Sequence, residues 1–130
     1  MRWYCHILCA LVLAAAANAY IPISGLALTL ALLGSVAPDV IERMLFLRHR
    51  SKYVHNFMVG VATSLLALID ASFLAFTLGY LHHLILDVTR AGVYIGDKRV
   101  RSRLASGNPL HNALILMLHL LLFFALLNLS

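Results

Sequence analysis

The stretch GYLHHLILDVTRAGV, residues 79–93, sets two adjacent histidines and an aspartate into an otherwise apolar run. His83 and Asp87 stand four apart, a spacing that puts both on one helix face, so an imidazole and a carboxylate can point at the same ion. His82 is turned away from that face by about 100°. More imidazoles and carboxylates follow the same logic elsewhere: His6, Asp39, Glu42, His49, His55 and His111. Mixed nitrogen and oxygen donors of this kind suit zinc best, with manganese or iron as alternatives, whereas magnesium and calcium call for more oxygens. A divalent ion held this way with one position open lowers the pKa of a bound water from ~15.7 to about 7 and neutralises a phosphoryl oxygen, so hydrolysis needs no serine or cysteine nucleophile. His119 lies about two turns beyond His111 and reads as a packing histidine bonded to a neighbouring backbone or side chain.

The elements that must carry these residues are greasy. The 130-residue chain is 62% hydrophobic and only 12% charged, with a mean hydropathy of +0.91. That composition is outside the range of a water-soluble domain and too short for two domains, and it predicts a single membrane-embedded helical domain over residues 1–130. Five apolar stretches, at 4–19, 22–37, 55–69, 72–88 and 109–129, are each close to or a little short of the ~20 residues a helix needs to cross the hydrocarbon. The expected fold class is therefore all-α: a polytopic bundle of about five transmembrane helices. Short connections at 18–22 and 69–72 make antiparallel neighbours, with Pro22 in a first turn and Asp70 as an N-cap. Arg2, the first apolar run and the Ala17–Ala19 tripeptide also have the form of a secretory leader; we read the segment as the first helix of the bundle. Cys5 and Cys9, one turn apart on that helix, are badly placed for a disulfide and read as buried thiols.

Charge orients the bundle. Of the ten basic residues, Arg43, Arg48, Arg50 and Lys52 lie in one polar segment and Arg90, Lys98, Arg99, Arg101 and Arg103 in another. The positive-inside rule places both segments, and the N-terminus, on the cytoplasmic side of the cytoplasmic membrane. On that topology His6, Asp39, Glu42, His49, His55, His83, Asp87 and His111 all fall at cytoplasmic helix ends, which predicts a ligand cluster there. The net charge of +5 suits lipid phosphates. No aromatic residues interleave with the arginines, so nucleic acid is not the expected partner.

Taken in order, these motifs resemble the YdjM-like, LexA-regulated family of membrane-bound metal-dependent hydrolases. His6 lies in the opening helix. GSVAPD (Gly34–Asp39) is similar to the family's small-residue Pro-Asp motif, HRSKYVHN (His49–Asn56) to its H-R-x-x-T-H-S, and GYLHHLILDVTRAGV to its G-Y-x-S-H-x-x-x-D. GNPLH (Gly107–His111) stands where the family has a glycine followed by a glutamate. The family is distantly similar to zinc-dependent phospholipase C and the P1-type nucleases. The resemblance implies Asp39, His55, His83 and Asp87 as principal ligands and catalytic residues, with His6 and His111 as further ligands. Glu42 stands in for a family acid whose usual position is Ile41 here, and His49 belongs to the same motif. Val54 and Asn56 replace the usual threonine and serine, and His111 replaces the glutamate.

The function expected on these grounds is hydrolysis of a phosphate ester, lipid-like because the site opens at headgroup level beside Arg48, Arg50, Arg99, Arg101 and Arg103. The cofactor expected is one or more divalent ions, zinc first. Two other readings stay open: a metal that only staples the helices, and a non-enzymatic membrane component of a larger assembly whose His/Asp cluster is structural.

Overall fold

The structure, a computed structural model, describes residues 3–89, 92–102 and 109–128. Arg2, Arg90, Arg103 and the Gly107–Asn108 part of the last motif lie outside the described residues. The order of elements is α1 (Trp3–Asn18), α2 (Gly25–Met44), α3 (Phe57–Ala62) continued by a 3-10 helix (Thr63–Leu68), α4 (Phe73–Val88), β1 (Val93–Ile95), β2 (Lys98–Val100) and α5 (Pro109–Leu127).

Each boundary has a local cause. Asn18 ends α1 and its Oδ1 accepts from the backbone N of Ile23 at 2.7 Å. Pro22 stays in the link, and Ser24 caps α2 by accepting from Ala27 N at 3.1 Å. The side-chain oxygen thus satisfies a donor the first turn leaves free. At the other end α2 runs past the apolar stretch, through Pro38, to Met44. Helical hydrogen bonding does not stop where apolarity stops, so the acidic Asp39 and Glu42 ride on the last turns of α2 rather than on a loop. The third apolar stretch is only a short helix whose second half tightens to 3-10 geometry. Asp70 caps from further back than expected: Oδ1 accepts from Ser72 N at 2.7 Å, ahead of the α4 start.

Two helices, Gly25–Met44 and Leu110–Leu127, are long and apolar enough to cross a membrane; α1, Phe57–Leu68 and α4 are apolar but shorter. The described chain is mostly helical, with one addition to the all-α expectation. Within the second basic segment, Val93 pairs with Val100, Tyr94 with Arg99 and Ile95 with Lys98 in an antiparallel hairpin. Gly96, at φ 60°, takes the first of two turn positions, where a two-residue hairpin loop needs a positive φ.

The pair that positions the site is α2 against α4. A Cβ on Gly34 would lie 2.1 Å from the Phe76 carbonyl oxygen, and one on Gly79 would lie 2.0 Å from the Ala31 carbonyl oxygen. Only glycine allows two backbones this close. Around the crossing, Ala37, Val54, Tyr80, Leu84 and Val93 form the main buried cluster. A second one, Cys5, Cys9, Leu86 and Ile115, joins α1, α4 and α5; both cysteines are free and buried.

Candidate metal centre

Because α2 and α4 approach so closely, the end of α2 and the end of α4 deliver side chains to one place. His83, fully buried on α4, has its Nδ1 2.7 Å from the carbonyl oxygen of Ser35 on α2. A carbonyl only accepts, so in the neutral ring Nδ1 carries the proton and Nε2 presents a lone pair. His55, also fully buried, lies just before α3, and its Nδ1 is 2.8 Å from Glu42 Oε1. Glu42 also accepts from the backbone N of Arg50 at 2.7 Å and of Ser51 at 2.5 Å. It is an acceptor throughout, so His55 donates from Nδ1, and in the neutral ring its Nε2 presents a lone pair.

Those two nitrogens face each other at 3.3 Å. Asp39 Oδ1 lies 3.5 Å from His55 Nε2 and 3.9 Å from His83 Nε2. Asp87 Oδ2 lies 3.5 Å and 3.8 Å from the same atoms. Donors 2.0–2.2 Å from a zinc ion at tetrahedral corners are about 3.3–3.6 Å apart, so the separations of either carboxylate from the two imidazole nitrogens are within a few tenths of an ångström of that spacing. With both rings neutral, these lone pairs repel, and a cation among them removes that cost. Asp39 Oδ1 is buried with no hydrogen-bond partner.

His6 adds a third imidazole. It is fully buried, its ring stacks on His83 at 3.9 Å and 19°, and its Nε2 is 3.5 Å from Asp87 Oδ1. Neither ring nitrogen has a hydrogen-bond partner. Three groups of donors able to hold an ion result: His6, His83 and Asp87; Asp39, His55 and His83; Asp39, Glu42 and His49. His83 joins the first two and Asp39 the last two. In the third, Glu42 is already engaged by His55 and two backbone N–H groups. The His49 ring is two-thirds exposed, with Nδ1 3.3 Å from Glu42 Oε2. His111 stands outside all three groups, with Nε2 3.2 Å from the Thr89 hydroxyl.

Other histidines meet away from the centre. His82 Nε2 is 3.2 Å from His119 Nε2, while His119 Nδ1 donates to the carbonyl of Ile115 at 2.8 Å. His119 is thus bonded to backbone and side chain, as a packing histidine.

Several residues that shape the centre carry little sequence signal. Arg50 Nε donates to Asp87 Oδ2 at 3.1 Å and gives that carboxylate a fixed orientation. Ser35 acts through its carbonyl, which no side-chain pattern reveals. Asn56 clamps the hairpin to the loop: its Nδ2 donates to the carbonyls of Lys52 and Gly96 and its Oδ1 accepts from the backbone N of Gly96 and Met58. Tyr94 N donates to the His55 carbonyl at 2.8 Å, so the hairpin also holds the backbone of a candidate ligand. The hairpin did have a signal, since VYI and KRV flank a Gly-Asp pair. At its tip, Lys52 Nζ meets Asp97 Oδ1 at 2.7 Å. The hydrogen bond to Asp97 holds the Lys52 ammonium above its ordinary pKa, and the same bond holds Asp97 below.

A cleft of about 560 Å³ reaches the centre at Asp39 and is lined as well by Trp3, Tyr4, Glu42, Arg43, Leu47 and His49. No family model, curated protein or solved structure matches the chain.

Proposed function

We propose that the protein is a membrane-bound metal-dependent hydrolase, of the YdjM-like kind, acting on the phosphate ester of a lipid-like alcohol. The observation that carries this reading is the meeting, at one buried place, of His55 and His83 Nε2 with carboxylate oxygens of Asp39 and Asp87. Asp39, His55, His83 and Asp87 would hold a divalent ion, zinc by their nitrogen and oxygen mixture, and His6 stands ready beside Asp87. When bound, such an ion acidifies a water and neutralises a phosphoryl oxygen. The chain's own residues do the rest. Glu42 and Ser35 fix which nitrogen of His55 and His83 is bare, and Arg50 orients Asp87. Asp39 is the most accessible of the four, 18% exposed, and lies on the cleft where the apolar walls of Trp3, Tyr4 and Leu47 suit the lipid part of a substrate.

Membrane insertion of all five helices belongs to the same proposal. Supporting it are the large apolar side chains left open on the outside of every helix, such as Leu8, Leu33, Met58, Leu78 and Leu118. Water would penalise a surface of this kind, while lipid is its natural solvent. The ligands sit at the ends where the basic segments join, so the positive-inside rule puts the centre on the cytoplasmic face.

Burial of His6, His55 and His83 favours one rival, in which the ion only staples the helices. Asp87→Asn separates the two, because it keeps shape and one oxygen while removing the charge that holds a dication. For a hydrolase, the variant inserts and stays folded in detergent but turnover of a lipid phosphate falls by orders of magnitude. For a staple, wild-type protein hydrolyses no lipid phosphate and the variant melts earlier. If the purified wild type binds no divalent metal and Asp87→Asn changes nothing, the metal reading is wrong and a non-enzymatic membrane component is left.

A further inference from the structure

The turn that follows α2 borders a second cleft, outside the metal centre but sharing residues with it. Glu42 fastens this turn through the backbone N–H groups of Arg50 and Ser51, and Arg50 is held at φ 59°, a left-handed conformation that side-chain-bearing residues rarely adopt. Between the turn and the hairpin lies a second cleft of about 350 Å³, lined by Arg48, His49, Arg50, Ser51, Lys52, Tyr94 and Arg99. Four of its walls are cationic and none is a carboxylate. Lys52 and Arg50 are partly balanced by Asp97 and Asp87. Arg48 is exposed and, among the described residues, pairs with no carboxylate.

This cleft touches the centre in two places. His49 lines both clefts, and Arg50 reaches from the cationic walls to the candidate ligand Asp87. A water molecule's share of liquid is about 30 Å³, so the cleft has room for a whole phosphate group beyond anything held at the centre. A phosphate group carries close to two negative charges at neutral pH, which suits a cleft with four cationic side chains and no carboxylate in its lining.

We infer that the cationic cleft is an anion subsite that takes a second phosphoryl group beside the one at the metal centre, so that the substrate class is a diphosphate ester of an apolar alcohol. The substrate assignment rests on the hydrolase reading above; the anion subsite does not. In such a reaction water adds to the inner phosphorus and the bridging P–O bond breaks, its electron pair going to the terminal phosphate. The arginine-lined cleft holds the departing orthophosphate, the monophosphate ester remains on the apolar side, and the protons of the water end on the two phosphate products.

Calorimetric titration of the full chain in detergent, metal-stripped and zinc-loaded, tests this with inorganic pyrophosphate, orthophosphate, sulfate and farnesyl diphosphate as probes. Pyrophosphate is expected to bind at least roughly ten-fold more tightly than orthophosphate or sulfate, in the metal-stripped protein as well. Arg48→Glu, at an exposed position, should abolish that preference and leave zinc content unchanged; Arg99→Glu should do the same by a second route. Farnesyl diphosphate binding more tightly than pyrophosphate supports the lipid ester, whereas equal binding overturns the apolar-alcohol part. Equal affinity for pyrophosphate, orthophosphate and sulfate, or a preference that survives both variants, overturns the subsite. A preference retained in a chain that binds no zinc sinks the hydrolase reading and leaves the subsite standing.

Discussion

Glu42 looks like a ligand from its place three residues after Asp39, yet its geometry is that of a clamp. One carboxylate receives His55 Nδ1 and the backbone N–H groups of Arg50 and Ser51, so it sets the tautomer of a candidate ligand and the path of the basic turn together. Glu42→Gln turns one of those acceptor oxygens into a donor facing donors. Zinc affinity should fall roughly 10–100-fold, the usual cost of losing a partner behind a ligand. Folding stability should drop by about 1–3 kcal/mol, the penalty for buried groups left unpaired. Zinc titration and thermal melts of the same preparation check both; an unchanged affinity would return Glu42 to the ligand set. Arg50 occupies the matching place behind Asp87, where removing it would free the carboxylate to rotate.

Among the elements, the α2–α4 crossing decides whether there is a centre at all. Gly34 and Gly79 each leave a neighbouring carbonyl where a Cβ would go, and His83 lies one turn beyond Gly79 on the same face. Gly79→Ala should therefore push the helices apart at a cost of about 1–3 kcal/mol, as overpacking does, and should weaken metal binding at a distance. Gly25→Ala supplies the contrast. A Cβ there meets nothing within 4 Å, and relief of backbone freedom in the unfolded chain should leave stability equal or raised by up to about 1 kcal/mol. Equal melting temperatures for the two variants would show that the close crossing is unimportant. The hairpin acts in the same way on a smaller scale, since Asn56 and Tyr94 tie it to the backbone on either side of His55.

For the whole molecule, an ion at the proposed centre would link α1, α2, the residue before α3 and α4 as donors, with the hairpin bracing one of them. Binding to the folded chain alone stabilises it by about 2.7 kcal/mol at a free-ion concentration of 100 times the dissociation constant. Chelator should accordingly lower the melting temperature in detergent, and added zinc should restore it; a melt indifferent to both contradicts a resident ion. Topology is testable in the same molecule. Single cysteines introduced by Lys52→Cys and Arg101→Cys should label from one side of the membrane, and Asp70→Cys from the other. Labelling of Lys52→Cys and Arg101→Cys from opposite faces would break the proposed arrangement.

Composition and spacing alone decide that this chain is largely helical and greasy and that His83 and Asp87 share a face. These are properties of one strand of backbone at a time: periodicity reports which way a side chain points from its own helix. What that side chain meets depends on a second element, and there the tertiary structure decides. It carries α2 past the end of its apolar stretch, because backbone hydrogen bonds continue through polar residues when the side chains can reach partners. It shortens the third helix, adds a hairpin where only a basic connection was read, and leaves two helices of membrane-crossing length. It turns His111 toward Thr89 and away from the groups around His83, and it draws on the Ser35 carbonyl, a group every residue possesses and no sequence pattern marks. The Asp39 and Asp87 oxygens come within 3.5–3.9 Å of the His55 and His83 Nε2 atoms, themselves 3.3 Å apart, because two glycines let two helices touch, and closeness between distant residues is a property of packing, not of spacing.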